Sequence, residues 1–123
     1  MAKKKRLSYN PYATTTRVVD RWPFIQKIVV NYHAVHPWFR HPIEREKTIS
    51  YTADDQAVFL LPCPTDDCTI GHLDITRDIS SMEANKETCC HFEKQCPGRE
   101  AKDHPEQSCM TMFTYTIYIT YCG

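Results

Sequence analysis

The chain has 123 residues, of which 15 are basic, 15 acidic and 41% apolar. That length makes a single domain able to bury roughly two-thirds of its unfolded surface, and the apolar content excludes a disordered chain. A formal net charge of zero gives no whole-domain field that would gather duplex nucleic acid.

Residues 1–16, with Lys3, Lys4, Lys5 and Arg6, read as a flexible basic tail ahead of a domain over 17–123. The opening MAKKKRLSYNPYATTT has no apolar stretch behind its basic residues, so it does not read as a secretory signal. No apolar run approaches the ~20 residues of a membrane helix. The expectation is a cytoplasmic protein with no membrane partner.

The segment IQKIVVNY alternates with period two, with Ile28, Val30 and Tyr32 on one face, and predicts a first strand. Pro37 and Pro42 within HAVHPWFRHPIER predict a long loop. KTISYT alternates again through Ile49 and Tyr51, and Asp54-Asp55 predicts a turn. AVFLLP is apolar on both faces and predicts a central strand. HLDITRDI, with Leu73, Ile75 and Ile79 on one face, predicts the second arm of a hairpin with it. Ser80-Ser81-Met82-Glu83 fits a capping box, predicting the main helix from about 81 to Phe92. Residues 95–108 read as a polar loop. TMFTYTIYITY, with Phe113, Tyr115, Ile117, Ile119 and Tyr121 on one face, predicts the last strand. The fold class is an antiparallel β-rich α+β domain of about five strands with one main helix.

Seven cysteines in a reducing compartment favour metal ligation or burial over disulfides, and an odd number cannot all pair. In LPCPTDDCTIG, Cys63 ends one strand and Cys68 opens the next, so both sulfurs can face one hollow at a hairpin tip. Cys96, in QCPG, and Cys109, just before the last strand, have similar settings. Together they supply the four sulfur ligands of a tetrahedral structural zinc site. Of three glycines, Gly71 and Gly98 follow these cysteines closely, where turns around a bound thiolate need special backbone. Pro64 and Pro97 stiffen the same turns. Arg77, Lys94, Arg99 and Lys102 are near enough in sequence to soften the −2 charge that four thiolates leave on one zinc. Cys90 is the alternative to Cys96, Cys89 is expected to pack under the helix and Cys122 along the last strand. The plain reading of all seven is as small buried hydrophobes.

The set Cys63-Pro64-Thr65-Asp66-Asp67-Cys68, Cys96-Pro97-Gly98 and Cys109 resembles a zinc ribbon over residues 58–121. It departs from the usual two tight Cys-x-x-Cys knuckles, since the first loop is longer and 12 residues split the second pair. The resemblance implies a structural ion, with protein or nucleic-acid binding as the use.

No local motif selects a catalytic set. His91-Phe92-Glu93 reads as the H-x-E of zinc deaminases, but it follows the cysteine pair instead of preceding it, and that pair has the wrong spacing. His33, His36 and His41 form a loose cluster that would suit a second metal or, more plainly, a polar surface. The expected function is a zinc-binding protein-interaction module without catalysis, with Trp22, Trp38, Phe39 or the aromatic last strand meeting a partner protein or a second copy. The last strand carries no charge from Thr111 to Tyr121, so it belongs in the middle of a sheet or paired with another chain as a homodimer. The alternative is a nucleic-acid-binding ribbon that uses the basic tail and exposed aromatics.

Overall fold

The computed structural model describes residues 16–37, 42–65, 68–101 and 104–122. Within them the chain forms an α+β domain around an open antiparallel sheet of four strands: β1 (Ile25–His36), β2 (Ile43–Thr52), β5 (Cys89–Gln95) and β8 (Met112–Tyr121), in the order β2-β1-β8-β5. Two short two-stranded ladders complete it, β3 (Leu60–Pro62) with β4 (His72–Asp74) and β6 (Arg99–Ala101) with β7 (His104–Ser108). The helices are a single turn, α1 (Val18–Arg21), and the main helix α2 (Thr76–Ala84).

β8 is central because its sequence suits it. Ten residues of unbroken alternation put Phe113, Tyr115, Ile117 and Ile119 on the buried face, where each contributes about 1.5–3 kcal/mol. β1 lies on one side, pairing Tyr32 with Tyr115, and β5 on the other, pairing Phe92 with Tyr115. Both ladder edges of β8 are therefore filled within the chain, which removes the open edge that suggested a homodimer through this strand. The free edges belong to β5 and to β2, whose Glu44, Arg45, Glu46 and Lys47 guard it against pairing.

Only one face of the sheet is covered by the described residues. Over it lie Phe59, Leu61, Leu73, Ile75, Ile79 and Met82, all buried. Phe59 meets Tyr51 edge-on at 4.7 Å and stacks on Trp22 at 6.1 Å, so Trp22 is a core residue and not a surface anchor. Asp78, on the covered side of α2, accepts a hydrogen bond from Tyr115 Oη (2.5 Å) and pairs with Lys94 Nζ (2.8 Å), so the buried carboxylate is paired on both oxygens.

Several sequence expectations need correction. β1 runs on through His33 to His36 and β2 starts at Ile43, so the expected loop over 33–45 is largely strand. AVFLLP is not a central strand: only Leu60–Pro62 pairs, with β4 alone, and only one of its faces is buried, through Ala57, Phe59 and Leu61. Its hairpin partner is shorter than expected, because HLDITRDI leaves strand geometry at Ile75 and enters α2. The main helix is thus Thr76–Ala84, not 81–92, and Ser80–Glu83 lie inside it instead of capping it. Asp74 Oδ1 accepts the Thr76 N–H at the start (2.9 Å).

The helix stops at Ala84 for a backbone reason. Lys86 takes a left-handed conformation (φ 53°), its N–H returns to Glu83 O at 3.0 Å, and the Glu87 N–H returns to Met82 O at 2.8 Å. This pair of bonds is the Schellman stop, with lysine where glycine is usual. Residues 89–92, expected as the end of the helix, belong instead to edge strand β5. The expected polar loop over 95–108 contains the β6–β7 hairpin. The expected basic tail up to Thr15, together with Trp38, Phe39, His41, Asp66, Asp67 and Lys102, lies outside the described residues. Among the described residues no helix is long and apolar enough to cross a membrane.

Candidate metal centre

The four cysteines singled out from the sequence come together at one end of the sheet. Cys63 follows β3, Cys68 and Gly71 precede β4, Cys96 follows β5, and Cys109 precedes β8, so four element ends meet there. Their sulfurs all lie within 4.8 Å of one another. Two distances set the scale, 3.7 Å from Cys63 Sγ to Cys109 Sγ and 3.5 Å from Cys68 Sγ to Cys96 Sγ. A tetrahedron with metal–sulfur bonds near 2.3 Å has edges of about 3.8 Å. The donor set therefore fits a metal ion of the zinc or iron type. All seven cysteines are free thiols.

The backbone is folded to serve these sulfurs. Cys63 N–H donates to Gly71 O and Cys109 N–H to Gly98 O, each at 2.9 Å, which closes the two halves of the site. Thr69 and Arg99 tie the halves together: Thr69 N–H donates to Arg99 O (3.1 Å) and Arg99 N–H to Thr69 Oγ1 (2.9 Å). Each sulfur also receives a main-chain N–H. Thr65 serves Cys63, Gly71 serves Cys68 at 3.3 Å, Gly98 serves Cys96 and Thr111 serves Cys109. A ring of donors aimed at sulfur stabilises thiolates and disfavours thiols.

The two glycines have different tasks. Gly71 holds φ +81°, a left-handed conformation that presents its N–H to Cys68, and a Cβ there would meet nothing within 4 Å. Gly98 is needed for space, since a Cβ would lie 2.4 Å from Cys68 Sγ.

Four sulfurs this close cannot all ionise without a cation. A hydrogen bond from Cys96 draws the Cys63 thiol down to about 5, while the same bond and burial push Cys96 up. Burial pushes Cys109 up to about 11. Cys63 thus takes the charge while Cys96 and Cys109 hold protons, which a bound divalent ion would displace. Cys96 and Cys109 are buried, whereas Cys63 and Cys68 are half-buried, so the cluster reaches the surface along the β3–β4 side.

The remaining candidates fall elsewhere. Cys90 is half-buried on β5 and is not part of the cluster. Cys89 is exposed rather than packed under the helix, and Cys122 is exposed beyond β8. Lys94 is held by Asp78, and Arg77 lines a shallow depression with Arg21, Asp74 and Lys94, so neither expected cation is committed to the sulfurs. His33 and His36 are three residues apart on one strand and point to opposite faces, His33 toward Glu44 (2.8 Å) and His36 into the interior. They cannot share an ion. Sequence reasoning missed Thr111, whose hydroxyl lies between two of the sulfurs. Its signal was present: it continues the buried alternation of β8 one step toward Cys109.

No protein-family model, curated protein or solved structure matches the chain.

Proposed function

We propose that the protein is a small zinc-binding interaction module of the cytoplasm, with a structural ion on Cys63, Cys68, Cys96 and Cys109 in a zinc-ribbon-like arrangement and no catalysis of its own. The observation that carries the metal reading is the approach of all four sulfurs to within 4.8 Å of one another, with the Gly71 N–H donated to Cys68. Cysteines serving only as small buried hydrophobes would have no need to bring four sulfurs from four element ends to one point. The ion would join the β3–β4 hairpin to the ends of β5 and β8, two parts of the chain otherwise linked there by a few hydrogen bonds. Supplying charge compensation and four fixed bonds, it would act in folding and not in turnover.

A protein partner is favoured over nucleic acid by the face of the sheet that the described residues leave uncovered. By register that face carries Glu44, Glu46 and Glu93 against the single lysine Lys27, with Met112 and Tyr118 exposed. Such a surface repels phosphates. Protein purified without chelator is expected to carry one zinc per chain by elemental analysis and to pass through heparin at moderate salt. A folded, metal-free protein would overturn the metal reading; retention on heparin would overturn the choice of partner.

A further inference from the structure

Thr111 is fully buried just ahead of β8, in line with Cys109, Phe113 and Tyr115. A core position of that kind ordinarily takes valine, which has the same shape without the hydroxyl. Here the hydroxyl oxygen lies 3.3 Å from Cys63 Sγ and 3.4 Å from Cys109 Sγ. The same residue's N–H serves Cys109 Sγ, and its carbonyl accepts the Cys96 N–H at 2.9 Å. One residue therefore touches three of the four ligands. Cys68, by contrast, receives the Gly71 N–H, and among the described residues the Thr111 hydroxyl does not reach it.

We infer that Thr111 is a positioning residue of the metal centre, its single hydroxyl proton shared between the Cys63 and Cys109 sulfurs once these are deprotonated, leaving Cys68 as the thiolate at which the site opens and electrophiles act. The inference rests on the metal reading above. A hydrogen bond to a bound thiolate fixes its rotamer and withdraws charge from sulfur, which lowers both ligand loss and nucleophilicity. Exposure does not choose between Cys63 and Cys68, because both are half-buried. The hydroxyl does, since it reaches only one of them.

The test is alkylation of the zinc-loaded protein with N-ethylmaleimide, mapped by peptide mass, with exposed Cys89 and Cys122 as internal standards. In the wild type Cys68 is modified well before Cys63. Thr111→Val brings Cys63 up to the rate of Cys68 and lowers zinc affinity by about ten- to a hundredfold, whereas Thr111→Ser keeps the wild-type order and affinity. Modification of Cys63 ahead of Cys68 in the wild type overturns the inference, even if the valine variant fails to fold. So does a folded Thr111→Val protein with unchanged order and affinity. A wild type that holds no metal overturns the metal reading itself, and this inference with it.

Discussion

Replacing Gly98 by alanine puts a methyl group where the sulfur cluster has no room. The new carbon would lie 2.4 Å from Cys68 Sγ and 3.1 Å from the backbone nitrogen of Ile70. Non-bonded heavy atoms settle at roughly 3.5–4.0 Å, so the sulfur must retreat by about 1 Å. A coordination bond tolerates about 0.2 Å. Cys68 should therefore drop out of the ligand set, while Cys63, Cys96 and Cys109 stay. If a binding energy on the order of 12 kcal/mol is shared among four ligands, the loss is about 3 kcal/mol, more than a hundredfold in affinity. For a domain of this size that lowers the melting temperature by roughly 10 °C. Gly71→Ala is the control. It forces an alanine into a left-handed conformation, costing about 1–2 kcal/mol, but its Cβ meets nothing and the N–H to Cys68 survives. Zinc affinity by competition with a chromophoric chelator, and thermal unfolding with and without chelator, separate the two. Gly98→Ala should lose affinity, with its deficit in melting temperature shrinking once chelator lets the Cys68 side chain turn away. Gly71→Ala should keep stoichiometric zinc. Equal affinities for Gly98→Ala and wild type would refute the reasoning.

Cys68→Ser should lower the melting temperature sharply and Cys122→Ser hardly at all; equal shifts in a parallel thermal scan would count against the ligand assignment. Lys86→Gly relieves a left-handed lysine and should stabilise by about 0.5–1 kcal/mol in urea unfolding, the exposed pair with Glu83 contributing little against it. Tyr115→Phe leaves one oxygen of buried Asp78 without its donor and should cost about 1–3 kcal/mol. Burial first, then Asp78, raises the Tyr115 pKa, so this contribution is complete below the ordinary tyrosine value near 10 and fades only as pH rises through the raised one. The difference between wild type and variant should accordingly be flat from about pH 7 to pH 10 in denaturant titrations.

The parts of the fold that were legible in the sequence are those whose pattern is long and local. β8 shows ten residues of clean alternation, and its burial follows directly. The cysteine cluster was legible because proline and glycine beside the cysteines are local signals, and the structure brings those four sulfurs together. What was misread depended on competition between weak patterns. Ile75, Ile79 and Met82 have helical spacing, yet Leu73, Ile75 and Ile79 also satisfy a strand, and the Ser-Ser-Met-Glu capping signal drew the helix start five residues too late. The helix end was hidden because Lys86 holds the left-handed position that glycine usually advertises. β5 was masked for the same reason, and as an edge strand it needs only Cys90 and Phe92 against the core. Pro37 predicts a loop from His33, whereas β1 continues to His36.

The most direct test is X-ray absorption at the metal edge of protein purified without chelator. Four sulfur scatterers at about 2.3 Å with no nitrogen or oxygen in the shell, at a zinc edge, is the result expected. An absent edge, or a shell containing nitrogen or oxygen, would contradict a centre built from Cys63, Cys68, Cys96 and Cys109.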